Sequence, residues 1–70
     1  MIIVAFHTTA DAFGFEEIAK SYGLEGRLGT IPRSISAGCG FAWLSERGSK
    51  EKLQRFIVQR GLEYEGIYEQ

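Results

Sequence analysis

The side chains best suited to chemistry stand together in PRSISAGCGFAW, residues 32–43, which holds the chain's single proline, single cysteine and single tryptophan. A thiol reacts as its thiolate, and a nearby guanidinium or helix N-terminus favours that anion by placing positive charge beside it. Cys39 is therefore the candidate nucleophile, with Arg33 in the same segment and His7 at the end of an apolar run near the start of the chain. Gly38 and Gly40 flank the sulfur. Lacking side chains, they let a partner approach closely and let the backbone take unusual dihedral angles. Ser34 and Ser36 add hydroxyl donors for a thiolate or an oxyanion. This combination predicts rapid alkylation of Cys39 at neutral pH. A packing role is the competing assignment, because free cysteine is among the most buried residue types. Likewise, a histidine ending a strand can simply satisfy a turn, an arginine after proline can be a solvated charge, and Thr8 and Thr9 are accounted for as helix caps.

The elements that must position these residues follow from hydropathy patterning. Ile2 to Phe6 reads as a strand, followed by HTTAD, where Thr8 or Thr9 caps a helix and Thr8 with Asp11 makes a weak capping box. Ala12, Phe15, Ile18, Ala19 and Tyr22 recur at three- and four-residue steps and form the apolar stripe of that helix, which Gly23 closes. Gly14, inside it, is expected to mark close packing of the helix backbone. GRLGTI, residues 26–31, is a second strand stopped by Pro32, and FAWL, residues 41–44, a third. Ser49 caps a second helix with the stripe Leu53, Phe56, Ile57 and Arg60, ended by Gly61. In LEYEGIYE, residues 62–69, alternation predicts a last strand with Leu62, Tyr64 and Tyr68 on one side and Glu63, Glu65 and Ile67 on the other.

Strand, helix, strand, strand, helix, strand is the ferredoxin-like βαββαβ order, an α+β fold with a four-stranded antiparallel sheet and two helices on one face. Right-handed crossovers then bring the end of the first strand, the start of the first helix and the connection between strands two and three to one sheet edge. His7, Thr8, Thr9 and the segment from Pro32 to Gly40 are expected to meet there. That segment is longer than the roughly two to five residues a hairpin needs.

Seventy residues make a single domain, residues 1–70, near the size at which a chain hides only about 60% of its unfolded surface. A net charge of −1 provides no broad footprint for nucleic acid or an acidic membrane. One cysteine forms no internal disulfide, which suits a reducing cytoplasm, and the apolar run at residues 2–6 is too short for a signal-peptide core or a membrane span. One cysteine and one histidine fall short of a zinc site unless subunits share it, so no metal is expected.

The stretch FHTTADAFGFEEIAKSYGLEGRLGTIPRSISAGCGFAW, closing with GLEYEGIYE, resembles the selenium/sulfur carrier-like family of small bacterial domains. The likeness covers nearly the whole chain and is most specific in PRSIS and CG. It implies that Cys39 accepts sulfur or selenium from a donor protein and passes it to an acceptor, making the chain a carrier rather than a turnover enzyme. Better-understood sulfur-relay carriers share only the order of elements and place a Cys-Pro motif where this chain has HTTAD. Two other functions fit the same order. AGCGFAWL partly matches the third strand of an RNA-recognition module, with Ala37 in place of a basic residue and Cys39 in place of a stacking aromatic. A regulatory or assembly domain is the other, because the first strand is apolar on both sides and two helices cover only one sheet face. A homodimer through the sheet would then cover the second.

Overall fold

The computed structural model describes all of residues 1–70. Its elements are β1 (Ile2–Ala5), α1 (Thr9–Ser21), β2 (Arg27–Thr30), β3 (Phe41–Ser45), α2 (Lys50–Arg60) and β4 (Gly66–Glu69). The strands form one sheet in the order β2-β3-β1-β4, with every neighbouring pair antiparallel. This is the expected ferredoxin-like βαββαβ architecture.

Both helices begin where the sequence offers a hydroxyl to an otherwise unsatisfied amide. Thr8 Oγ1 accepts from the Asp11 N–H at 3.0 Å, and Ser49 Oγ accepts from the Lys52 N–H at 3.1 Å. The C-terminal ends follow the glycine rule, with Gly23 and Gly61 both at positive φ. Ile2, Val4 and Phe6 from the start of the chain meet Trp43 of β3, Ala12, Phe15 and Ala19 of α1, and Leu53, Phe56 and Ile57 of α2 in the main core. Phe15 is its aromatic hub, with ring centroids 5.1 Å from Phe6, 5.6 Å from Trp43 and 5.9 Å from Phe56. Such tilted contacts suit the ring quadrupoles and strengthen the packing beyond area burial alone.

Glu25 ties the loop after α1 to the turn after β3. Its side chain accepts from Ser45 Oγ at 2.7 Å and from the Arg47 N–H at 2.9 Å, while its carbonyl accepts from Trp43 Nε1 at 3.2 Å. The Ser45 hydrogen bond, followed by the Arg47 amide, holds the Glu25 carboxyl below its ordinary range, because both favour the charged form.

The second sheet face has an unexpected cover. Ile3, Ala42 and Leu44 form a separate cluster at 1%, 0% and 9% exposure, packed by Ile31, Ile35 and Tyr68 of the same chain. Ile31 and Ile35 belong to the long connection between β2 and β3, so this connection lies against the sheet instead of looping into solvent. Its length thus has a packing reason, and the uncovered face that motivated a homodimer is filled from within. One rung across all four strands is made of small residues: Gly29, Ala42, Ala5 and Gly66 stand in register. A Cβ at Gly66 would lie 3.1 Å from the Tyr68 hydroxyl, and one at Gly29 2.7 Å from Leu44 Cδ1.

Three local expectations are corrected. Nothing lies within 4 Å of the Cβ position at Gly14, which opens onto a groove of about 230 Å³ between α1 and the start of the α2–β4 connection instead of packing tightly. Tyr22 is exposed, and its ring stands edge-on to Phe56 at 5.9 Å. Leu62, Tyr64 and Ile67 pack on the main core while Tyr68 packs on the opposite cluster, because the ladder starts only at Gly66 and the alternation does not run through residues 62–65.

Candidate functional site

Cys39 lies in the last part of the β2–β3 connection. Its N–H donates to the Phe6 carbonyl at 3.1 Å, so the cysteine backbone is fastened to the end of β1, one residue before His7. The Ile31 N–H donates to the Gly40 carbonyl at 2.9 Å and closes the base of the connection where β2 and β3 part. Between these two ties the thiol is half-buried. Its inner side packs against the main core, and Sγ lies 3.8 Å from the Phe41 carbonyl oxygen, a long and weak donor contact. Phe41 stacks with Phe13 of α1 at 5.6 Å, and Phe13 remains 50% exposed, an apolar landmark on the same rim.

The end of β1, the start of α1 and the β2–β3 connection do converge on one sheet edge. His7, Thr8 and Thr9 are exposed there, Thr8 as the α1 cap and Thr9 as the first helical residue. Arg33 is exposed, and the one salt bridge in the structure, between Lys20 and Glu16, lies elsewhere. Neither His7 nor Arg33 hydrogen-bonds the thiol; His7 follows the Phe6 carbonyl that holds the Cys39 N–H, and Arg33 belongs to the first part of the same connection. Gly38 and Gly40 differ. A Cβ at Gly38 would collide with the Phe6 carbonyl oxygen, whereas Gly40, at φ +87°, has open space around it. Gly38 is thus required by close approach and Gly40 by its backbone angle.

Ser36 makes no hydrogen bond to the thiol. Only 6% exposed, it donates to Glu65 Oε2 at 3.1 Å and accepts from the Gly38 N–H at 3.2 Å. Its one hydroxyl proton is committed to the carboxylate, so the donor role expected of it toward Cys39 is taken up by loop anchoring. The Tyr68 hydroxyl donates to the same carboxylate, 2.7 Å from Oε1 and 2.9 Å from Oε2. Ser36, Glu65 and Tyr68 thus pin the middle of the connection to the approach of β4. Glu65 and Tyr68 were not among the candidate site residues, since the Ser36–Glu65 bond spans 29 positions.

Donation to Glu65, followed by desolvation and the negative charge of Glu65, raises the Tyr68 ionisation above its ordinary value of 10.0. The neutral phenol is the form that the fold favours. This contribution is complete below pH 10.0 and is lost as pH rises through the elevated folded-state value. Ultraviolet titration should therefore show one of the three tyrosines ionising later than the others. Tyr68→Phe should delete that late step and Glu65→Gln should move it back toward the other two; a single shared step in the native protein would refute the assignment.

No group of three or more His, Cys, Asp and Glu side chains comes together to hold a metal ion, and no helix is long and apolar enough to cross a membrane. Phe41 and Trp43 face the helices, where they offer no stacking platform for bases, while the other face of β3 carries Ala42 and Leu44. That arrangement leaves the RNA-recognition reading without its aromatic surface.

The family model described as "Putative Se/S carrier protein-like" matches residues 1–69. The chain belongs to this Se/S carrier-like family. Searches of curated proteins and of solved structures returned no match. The match takes in the whole β2–β3 connection, Cys39 and the Glu65–Tyr68 anchor.

Proposed function

We propose that this Se/S carrier-like domain holds a sulfur or selenium atom on Cys39 and moves it between partner proteins. The observation that carries the reading is the position of the chain's one cysteine, half-exposed on an anchored connection at the edge where β1 ends and α1 begins. Family membership supports the same reading.

In the loading step the Cys39 thiolate attacks the terminal sulfur of a donor protein's persulfide. The new S–S bond forms on Cys39, the donor S–S bond breaks, and the donor cysteine leaves as a thiolate. The transferred atom keeps its oxidation state and its proton, so no external oxidant or reductant is needed. Unloading is the same displacement by an acceptor thiolate, and a selenium atom follows the same course. His7 and Arg33 stabilise the sulfur anion during the exchange. Thr8 caps α1 and Thr9 opens it, which sets the helix start beside the loop. Ser36 and Gly38 hold the loop, and Gly40 leaves the approach to sulfur open. No cofactor takes part. A reducing cytoplasm suits a carrier whose single thiol must remain free between cycles, and a homodimer is not needed for the chemistry.

The deciding measurement is the intact mass of the protein isolated from its own cells without reductant. A fraction carrying one additional sulfur or selenium atom, removed by dithiothreitol and mapped to Cys39, is expected. Uniformly unmodified protein, from cells in which persulfides are preserved on a known carrier, would overturn the proposal.

A further inference from the structure

Charge is distributed unevenly in this nearly neutral chain. Lys50, Lys52, Arg55 and Arg60 against the single Glu51 give α2 a net charge of +3, and a total of −1 leaves −4 on the rest of the molecule. Half of the chain's eight basic residues thus stand on one helix of 11 residues. None of them has a carboxylate partner, because the only salt bridge is on α1.

Lys52, Arg55, Phe56, Gln59 and Arg60 recur at helical spacing and, with Leu24 opposite, line a groove of about 260 Å³. Its floor is apolar, made by the half-buried Leu24 and the 8% of Phe56 that is exposed, and the remaining lining is polar or cationic. Arg60 is fixed in place. Its guanidinium carbon lies 4.0 Å from the ring centroids of both Tyr22 and Phe56, and Nη1 donates to the Phe56 carbonyl at 3.3 Å. Stacking of this kind holds a guanidinium rigid while keeping its charge. The groove is therefore preorganised at Arg60 and adaptable at the exposed Lys52 and Arg55. Neither acidic neighbour fills it: Glu51 does not line it, and the Glu25 carboxylate is occupied by Ser45 and Arg47.

We propose that this groove on α2 docks an acidic segment of a partner protein, its carboxylates meeting Lys52, Arg55 and Arg60 and an apolar side chain resting on Leu24 and Phe56. The site is distinct from Cys39 and goes beyond the carrier chemistry. Charge complementarity selects the occupant. The apolar pair favours a peptide with alternating character over a nucleic-acid backbone, and the net −4 outside α2 repels any polyanion long enough to leave the helix.

The test uses the full chain and a dye-labelled peptide of alternating glutamate and leucine, followed by fluorescence anisotropy at two salt concentrations. Saturable, salt-weakened binding is expected, with roughly a tenfold loss in the Lys52→Glu/Arg55→Glu double variant. Lys50→Glu makes the same kind of charge reversal on α2 outside the groove and should have much the smaller effect per residue; circular dichroism confirms that each variant is folded. An all-glutamate peptide should bind more weakly than the alternating one. Absence of binding, an equal per-residue loss in Lys50→Glu, or tighter binding of a single-stranded RNA oligonucleotide would overturn the proposal. Because Cys39 is not involved, Cys39→Ser should bind the peptide like the native chain, so the failure of carrier chemistry and the failure of docking give different results.

Discussion

Cys39→Ser should abolish chalcogen loading while leaving the domain folded. When the native chain is incubated with a persulfide-bearing donor, intact mass should show one added sulfur, and the variant should show none at any time point. The expected effect is complete because the chain has no second cysteine to take over. Folding should survive because serine is close in size to cysteine, the site is half-exposed, and the anchoring bond to Phe6 uses the residue 39 amide, not the side chain. Alkylation separates accessibility from transfer. Iodoacetamide should label the native protein once, at Cys39, and should compete with loading. A folded Cys39→Ser variant that still gains sulfur would remove Cys39 from the chemistry, and a thiol unreactive until denaturation would return it to the packing role.

Much of this arrangement was legible in the sequence, and the parts that were not share a physical cause. Helix stripes such as Ala12, Phe15 and Ala19 announce themselves because a period near 3.6 puts neighbours in sequence onto one buried face. Ser49 and Gly61 were readable because caps act over a few residues. Topology then placed the β2–β3 connection beside His7, Thr8 and Thr9. Ile31 and Ile35 were not readable in the same way. Two apolar residues in a loop have no period, and only the fold shows that they pack on Ile3, Ala42 and Leu44. The Ser36–Glu65–Tyr68 anchor escaped for a related reason, since hydrogen bonds between distant segments leave no local pattern. The apolar second face looked like a surface awaiting a partner because its cover lies in the least regular part of the chain. That cover and the site are the same segment: its isoleucines pack the sheet, and its cysteine is held at the edge.

The dependence of the site on that segment makes Gly38 the most sensitive position around the thiol. Gly38→Ala should cost roughly 2–4 kcal/mol, combining overpacking with the loss of a hydrogen bond. The new methyl would meet the Phe6 carbonyl oxygen, which is backbone just past the end of the central strand β1 and cannot swing aside as a flexible side chain could. The same oxygen accepts from the Cys39 N–H, and the Gly38 N–H is itself held by Ser36. The connection must then lift, loosening Cys39 from the edge and Ser36 from Glu65 together. Against a total of roughly 4–10 kcal/mol for a domain this small, the loss is large, and urea unfolding should show the midpoint fall steeply. Gly40→Ala is the matched control. It meets no atom within 4 Å, so its cost is confined to about 1–2 kcal/mol of left-handed backbone strain. If the carrier reading holds, Gly38→Ala should also slow loading in conditions where it remains folded, because the thiol would no longer be presented at a fixed place. A Gly38→Ala protein as stable as the native chain would mean that the connection does not rest against Phe6, and the placement of Cys39 beside the end of β1 would fall with it.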